Sequence, residues 1–192
     1  TLLSDSLAER VLRAGILLDG VEVPPLSIGR HATADLRALR AFLAGEQEFR
    51  RSRWSEAQAA FKEAFDADQT FAFALYRLAL TRTWSEYSPH RPVYDDYTRL
   101  LAEREIDGLP ERQQLLIRAH AQLARNQADA IATLHELTTK YPGDVEGWFL
   151  LSDAYYHLGR QRGTANDSFR IAFQRGRELD PDSPPVGLPT GV

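Results

Sequence analysis

The chain has 192 residues, 43% of them hydrophobic and 26% charged, and a net charge of −4. That length and balance suit one folded domain or a short repeat array, and mild, dispersed negative charge makes no electrostatic case for nucleic acid or a membrane surface. With no cysteine there is no disulfide framework and no thiolate metal site, and no run of about 18 apolar residues is present to span a membrane.

The basic residues are nearly all Arg, with Lys62 and Lys140 as the lysines. A start at Thr1 and a complete lack of Met predict a fragment or a processed product. The cytoplasm is the favoured compartment, and the periplasm becomes the alternative if a membrane anchor precedes the sequence.

The first element is a helix from Ser4 to Leu18, opened by Ser6-Leu7-Ala8-Glu9 in capping-box form and striped by Leu7, Val11, Ala14 and Leu18. Val21 to Arg30, with Pro24, Pro25 and Gly29, reads as an extended connector. Residues 1–30 are thus a leader. A second helix begins after Thr33 or Asp35, either of which can cap it. Ala41, Ala44 and Gly45 offer a small-residue surface, with Phe42 and Phe49 on another side. Ser52-Arg53 breaks the pattern, and Trp54, Ala57, Phe61 and Ala64 stripe the partner helix.

Phe71 to Thr83 forms the next helix, with Leu75, Leu78 and Ala79 at packing spacing. After Trp84 the register fails. Ser85 to Pro92 is turn-rich, and Val93 to Glu105 is the expected partner helix. Asp107-Gly108-Leu109-Pro110 opens another helix, whose apolar side carries Leu115, Leu116, Ala119 and Leu123.

The most regular stretch runs from Ala128 to Gly159. Ala130, Leu134 and Leu137 make one helical stripe, and Trp148, Leu151 and Tyr155 make another. Between them Pro142 stops the first helix, Gly143 permits the turn and Asp144 can cap the second. A loop over Gly159 to Asp167 is then expected before a last helix with Phe169, Ala172, Phe173 and Gly176. Residues 182–192, with Pro184, Pro185 and Pro189, form a Pro-rich tail.

Trp148-x2-Leu151-Ser152-x2-Tyr155, with Ala130-x3-Leu134 and Pro142, resembles the tetratricopeptide repeat (TPR) signature, with Ser in place of Gly and Leu in place of Phe. Trp54-x2-Ala57-x3-Phe61-x2-Ala64 is similar to the second half of the same repeat, with Gln69 where the family usually has Pro, which predicts a looser turn. Ala38 to Leu80 also resembles TPR regions attached to bacterial serine/threonine kinases and winged-helix regulators. The resemblance implies an all-α, TPR-like helical-hairpin solenoid of about four hairpins over residues 31–181. Pro142 to Pro181 is one extended repeat of 39 positions, against about 34 in the family.

Catalytic and metal chemistry find little purchase. The five histidines are scattered, and His135-Glu136-Leu137-Thr138-Thr139 has Thr where a zinc motif needs its second His. Asp95 and Asp96 are adjacent, so a helix points them apart. Gly159 to Thr164 lacks the spacing and the Lys of a phosphate loop. The expectation is no enzymatic activity, no metal and no cofactor.

In the TPR family the first helices of successive hairpins line a concave groove. The resemblance places Phe42, Glu46, Phe49, Phe73, Tyr76, Leu80, Phe149, Asp153 and Tyr156 on that side, with Arg112, Leu115 and Gln122 on the third helix. Arg77 and Arg50 flank it and could meet a carboxylate. The implied role is a non-catalytic protein-protein interaction scaffold or sensor module that binds a peptide or partner domain, its exposed aromatics serving as anchors. The competing reading is that these side chains pack internally. Self-association, or a small-molecule pocket near Tyr76, Trp84 and Tyr87, are the alternatives. The family's Lys and Asn carboxylate clamp is absent.

Overall fold

A computed structural model describes residues 33–85, 96–159 and 165–182. The leader, Glu86 to Asp95 with Tyr87, and the tail beyond Asp182 lie outside the described residues. All regular structure among those described is α-helical: α1 Leu36–Arg50, α2 Trp54–Ala67, α3 Ala72–Ser85, α4 Asp96–Ala102, α5 Glu111–Ala124, α6 Asp129–Lys140, α7 Val145–Leu158 and α8 Ala165–Leu179. None is long and apolar enough to cross a membrane.

Each helix packs chiefly on its neighbours in sequence, α1 on α2, α2 on α3, and so on to α7 on α8. The connections explain this. Three residues join α1 to α2, too few for anything except a return along the preceding helix. Ser52 takes a positive φ of 57°, and its amide donates to the Phe49 carbonyl while Arg53 donates to that of Glu48. These are the two hydrogen bonds of a Schellman ending. The same geometry recurs at the end of α5: Asn126 has φ 56°, its amide donates to Leu123, and Gln127 donates to Gln122.

Helix starts follow local chemistry. Asp35 caps α1 by accepting from the Arg37 and Ala38 amides. Thr33 is not the cap; its hydroxyl accepts from the Asp35 amide and donates to the Asp68 carboxylate. Asp68 also accepts from both the amide and the hydroxyl of Thr70. The α2–α3 turn is therefore tied down by one carboxylate, and the looser turn expected at Gln69 is corrected. Asp144 caps α7 through the Gly147 amide, as expected.

Packing is by large against small. A Cβ on Gly45 would lie 2.5 Å from the Phe61 ring, and one on Gly176 would lie 2.9 Å from Phe149. Ala57, Phe61 and Ala64 of α2 are fully buried. Each large apolar side chain so buried contributes about 1.5–3 kcal/mol. Ser152 fills the Gly position of the signature, buried, with its hydroxyl donated to the Phe149 carbonyl.

Three expectations need correction. Ala44 is exposed and takes no part in the small-residue contact. Of the helix expected over Val93 to Glu105, Val93 to Asp95 lie outside the described residues, and α4 ends at Ala102 rather than Glu105. The last helix begins at Ala165, so Ala165 to Asp167 belong to it and not to a loop.

Candidate functional site

One chain of ion pairs draws together the cap of α7 and residues of α1, α3, α5 and α7. Arg77 is its hub. Its Nε and Nη2 donate to the two oxygens of Glu46 at 2.5 and 3.1 Å, and its Nη1 donates to Glu146 Oε1 at 2.7 Å. The Tyr76 hydroxyl donates to the same oxygen at 2.5 Å. Arg112 lies 3.6 Å from Glu146 Oε2 and donates to both oxygens of Asp144. Side-chain exposure is 8% for Arg77, 14% for Glu46 and 11% for Glu146, so these charges have given up most of their water.

Neighbouring rings and carboxylates replace that water. The Arg77 guanidinium lies 5.2 Å from the Phe49 ring centre, 5.3 Å from Phe73 and 5.7 Å from Tyr76, each an electrostatic attraction to a ring face. Phe73 stacks on Tyr76, and His120 of α5 meets Tyr76 edge-on.

The protonation equilibria follow from this packing. Burial pushes the Glu46 carboxyl above its usual range despite the pull of Arg77, and Glu146 adds repulsion. Burial alone would also raise Glu146, but Arg77, Arg112 and the Tyr76 hydroxyl together bring it below the usual range. Burial opposes the charge of Arg77, yet the two glutamates hold it protonated more firmly than usual. Burial, and then the charge on Glu146, drive the Tyr76 hydroxyl well above its ordinary value.

The expected groove residues divide sharply. Phe42, Phe49, Phe73, Tyr76, Leu80 and Phe149 are buried in the core, as is Leu115, which corrects the expectation of an exposed aromatic wall. Phe42 packs among Phe61, Phe71 and Phe73. Phe49 meets Trp54 edge-on, and Phe149 meets Phe173 of α8. Burying so much ring area outweighs presenting it to water. Gln122 accepts from the Thr133 hydroxyl. Tyr156 remains accessible at 38%, beside Phe169 and His157. Asp153, partly buried, stands 3.3 Å from His157 Nε2 and raises that imidazole's pKa through their hydrogen bond.

Both arginines expected to meet a carboxylate do so within the chain. Arg77 meets Glu46 and Glu146, and Arg50 lies 3.3 Å from Asp180, just past α8. Glu146 was missed by the sequence reading, because at the second position of α7 it reads as an ordinary acidic residue in a first helical turn. His135 sits 2.5 Å from the Tyr155 hydroxyl, and Glu136 pairs with Lys140. Among the described residues no group of three His, Cys, Asp or Glu is arranged to hold a metal.

No protein-family model matches the chain, and no curated protein matches it.

Proposed function

We propose that this chain is a TPR-like array of about four hairpins, pairing α1–α2, α3–α4, α5–α6 and α7–α8, that works as a non-catalytic interaction module. The recurrence of one turn carries this reading. The Schellman endings at Ser52 and Asn126 lie 74 positions apart, close to two repeats plus a short insertion. Each joins a first helix to a second through three or four residues. The convergence of Glu46, Arg77, Arg112 and Glu146 supports a shared inner face for the first helices.

A peptide or partner domain docks on the accessible part of that face, with Arg112, Asp153 and Tyr156 as its contacts, over an aromatic layer that sets its shape. The resemblance to TPR regions of bacterial kinases and winged-helix regulators makes a sensory or scaffolding role in signalling the natural setting. Partner capture with the Arg112→Ala/Tyr156→Ala variant tests this, with circular dichroism as a control for folding. Undiminished capture by a folded variant sinks it.

Ile171, 66% exposed on α8, favours self-association as the second reading. Sedimentation over a wide concentration range separates the two, since a strict monomer excludes self-assembly.

A further inference from the structure

Helices α1 to α3 and helices α5 to α8 each pack in consecutive pairs, and α4 joins the two runs along the sequence. Between them lies α4, seven residues long, followed by the connection 103–110. In that connection Gly108 has no atom within 4 Å of where a Cβ would stand. The seam is crossed by polar groups. Tyr76 and Arg77 reach from the first run to Glu146 in the second, and Arg50 reaches Asp180.

We propose that the protein is hinged at α4 and the 103–110 connection, with Glu146 as the latch that holds the two bodies closed. Charge bookkeeping on either side of the seam is what makes this motion accessible. Breaking a buried pair is costly when it strands an unpaired charge in the interior. Opening at Glu146 strands none in the interior, because Arg50 and Asp180, which part with it, are both partly exposed. Arg77 keeps its two-pronged pair with Glu46 inside the first body. Glu146 keeps Arg112, which also holds Asp144, inside the second.

No other cut through the network is balanced in this way. Separation between Glu46 and Arg77 would split the first body, and separation between Arg112 and Asp144 would uncap α7. Opening uncovers Phe49, Phe73 and Tyr76 with the Arg77 guanidinium among them. That this surface then receives a partner rests on the interaction reading above, whereas the hinge itself does not.

The chain has no cysteine, so paired spin labels can be placed without background. Arg51→Cys in the first body and Arg175→Cys in the second are both at exposed positions and report the distance across the seam by pulsed EPR. Arg51→Cys with exposed Lys62→Cys reports within the first body alone. In the parent, a longer cross-seam distance is expected below about 10% of the population. Glu146→Gln should make it dominant, leaving the Arg51/Lys62 distance and the helicity unchanged. An unchanged cross-seam distribution in the folded variant overturns the latch, and equal broadening of the internal pair overturns the hinge. Should Glu146→Gln fail to fold, Glu146→Asp, one methylene short of spanning the seam, is judged by the same two distances.

Discussion

Arg77 and Glu146 are 69 positions apart in sequence and 2.7 Å apart in space. One guanidinium on α3 joins a carboxylate at the start of α7 to another on α1, and three aromatic rings surround it. The junction of α1, α3, α5 and α7 is therefore a packed polar core, sealed by aromatic residues.

Arg77→Met should be the most damaging single change in this cluster. It leaves Glu46 without a cation and Glu146 with Arg112 alone, and losing one partner of a buried pair costs about 3–5 kcal/mol. Arg77→Met/Glu46→Gln/Glu146→Gln should recover much of that loss, because no bare charge remains. Urea unfolding of the three proteins measures both effects, and a triple variant no more stable than the single one contradicts the account.

The two glutamates should respond oppositely to pH. The folded-state pKa of Glu46 lies above the ordinary 4.5, so its contribution is complete below that value and is lost as pH rises through the folded value. Glu146 lies below 4.5, so its contribution is complete above 4.5 and is lost as pH falls through its folded value. Between about pH 4 and 7 the stability difference between parent and Glu46→Gln should shrink with rising pH. The difference between parent and Glu146→Gln should instead hold level above about pH 4.5 and shrink as pH falls below that value. Parallel trends in denaturant titrations would show that the two sites do not differ in this way.

Ser52 and Asn126 hold left-handed backbone, which costs a side-chain-bearing residue about 1–2 kcal/mol where glycine is at ease. Ser52→Gly and Asn126→Gly should therefore each stabilise by about 0.5–1 kcal/mol, net of the unfolded-state entropy that glycine adds. In a chain of this size that corresponds to a rise in Tm of about 2–4 °C per kcal/mol. Thermal unfolding followed by circular dichroism checks it, and a fall in Tm for both variants rejects the Schellman assignment.

Gly45→Ala should do the reverse. Its new methyl group would lie 2.5 Å from the Phe61 ring of α2, and overpacking of this kind costs about 1–3 kcal/mol. Gly45→Ala/Phe61→Leu should be less destabilised than the sum of the two single changes. Strict additivity in a double-mutant cycle would place the strain elsewhere.

Tyr156 and Tyr76 should separate binding from folding. Tyr76→Ala removes a fully buried ring and its hydrogen bond and should cost about 3–5 kcal/mol. Tyr156→Ala, at a partly exposed position, should cost under about 1 kcal/mol. Chemical denaturation compares them, and equal losses would put Tyr156 in the core.

The helices and many of their ends were legible in the sequence because their causes are local. A three-four apolar stripe, Asp at a cap, and Pro142-Gly143 at a turn each act within a few residues. Ser52 was visible as a break, but its left-handed turn, repeated at Asn126, carries no glycine to announce it. The end of α4 at Ala102 and the helical state of Ala165 to Asp167 were misjudged where the apolar pattern is diluted.

The surroundings of the expected groove residues were decided by tertiary structure. The spacing of Phe42, Phe73, Tyr76 and Phe149 shows which side of a helix they occupy, but helical period is blind to how tightly successive helices close around that side. Burial, a property of the assembled helices, turned an expected aromatic wall into core. Glu146 is the clearest case. Its sequence neighbours assign it to a solvated first turn, and only the approach of α3 to α7, bringing Arg77 and Tyr76 within hydrogen-bond distance, makes it a buried partner of the hub. Sequence by itself determined where helices form and which faces are apolar, because those causes span a few residues. Which charges meet across 31 or 69 positions was settled by packing, because desolvation and Coulomb attraction depend on distance in space.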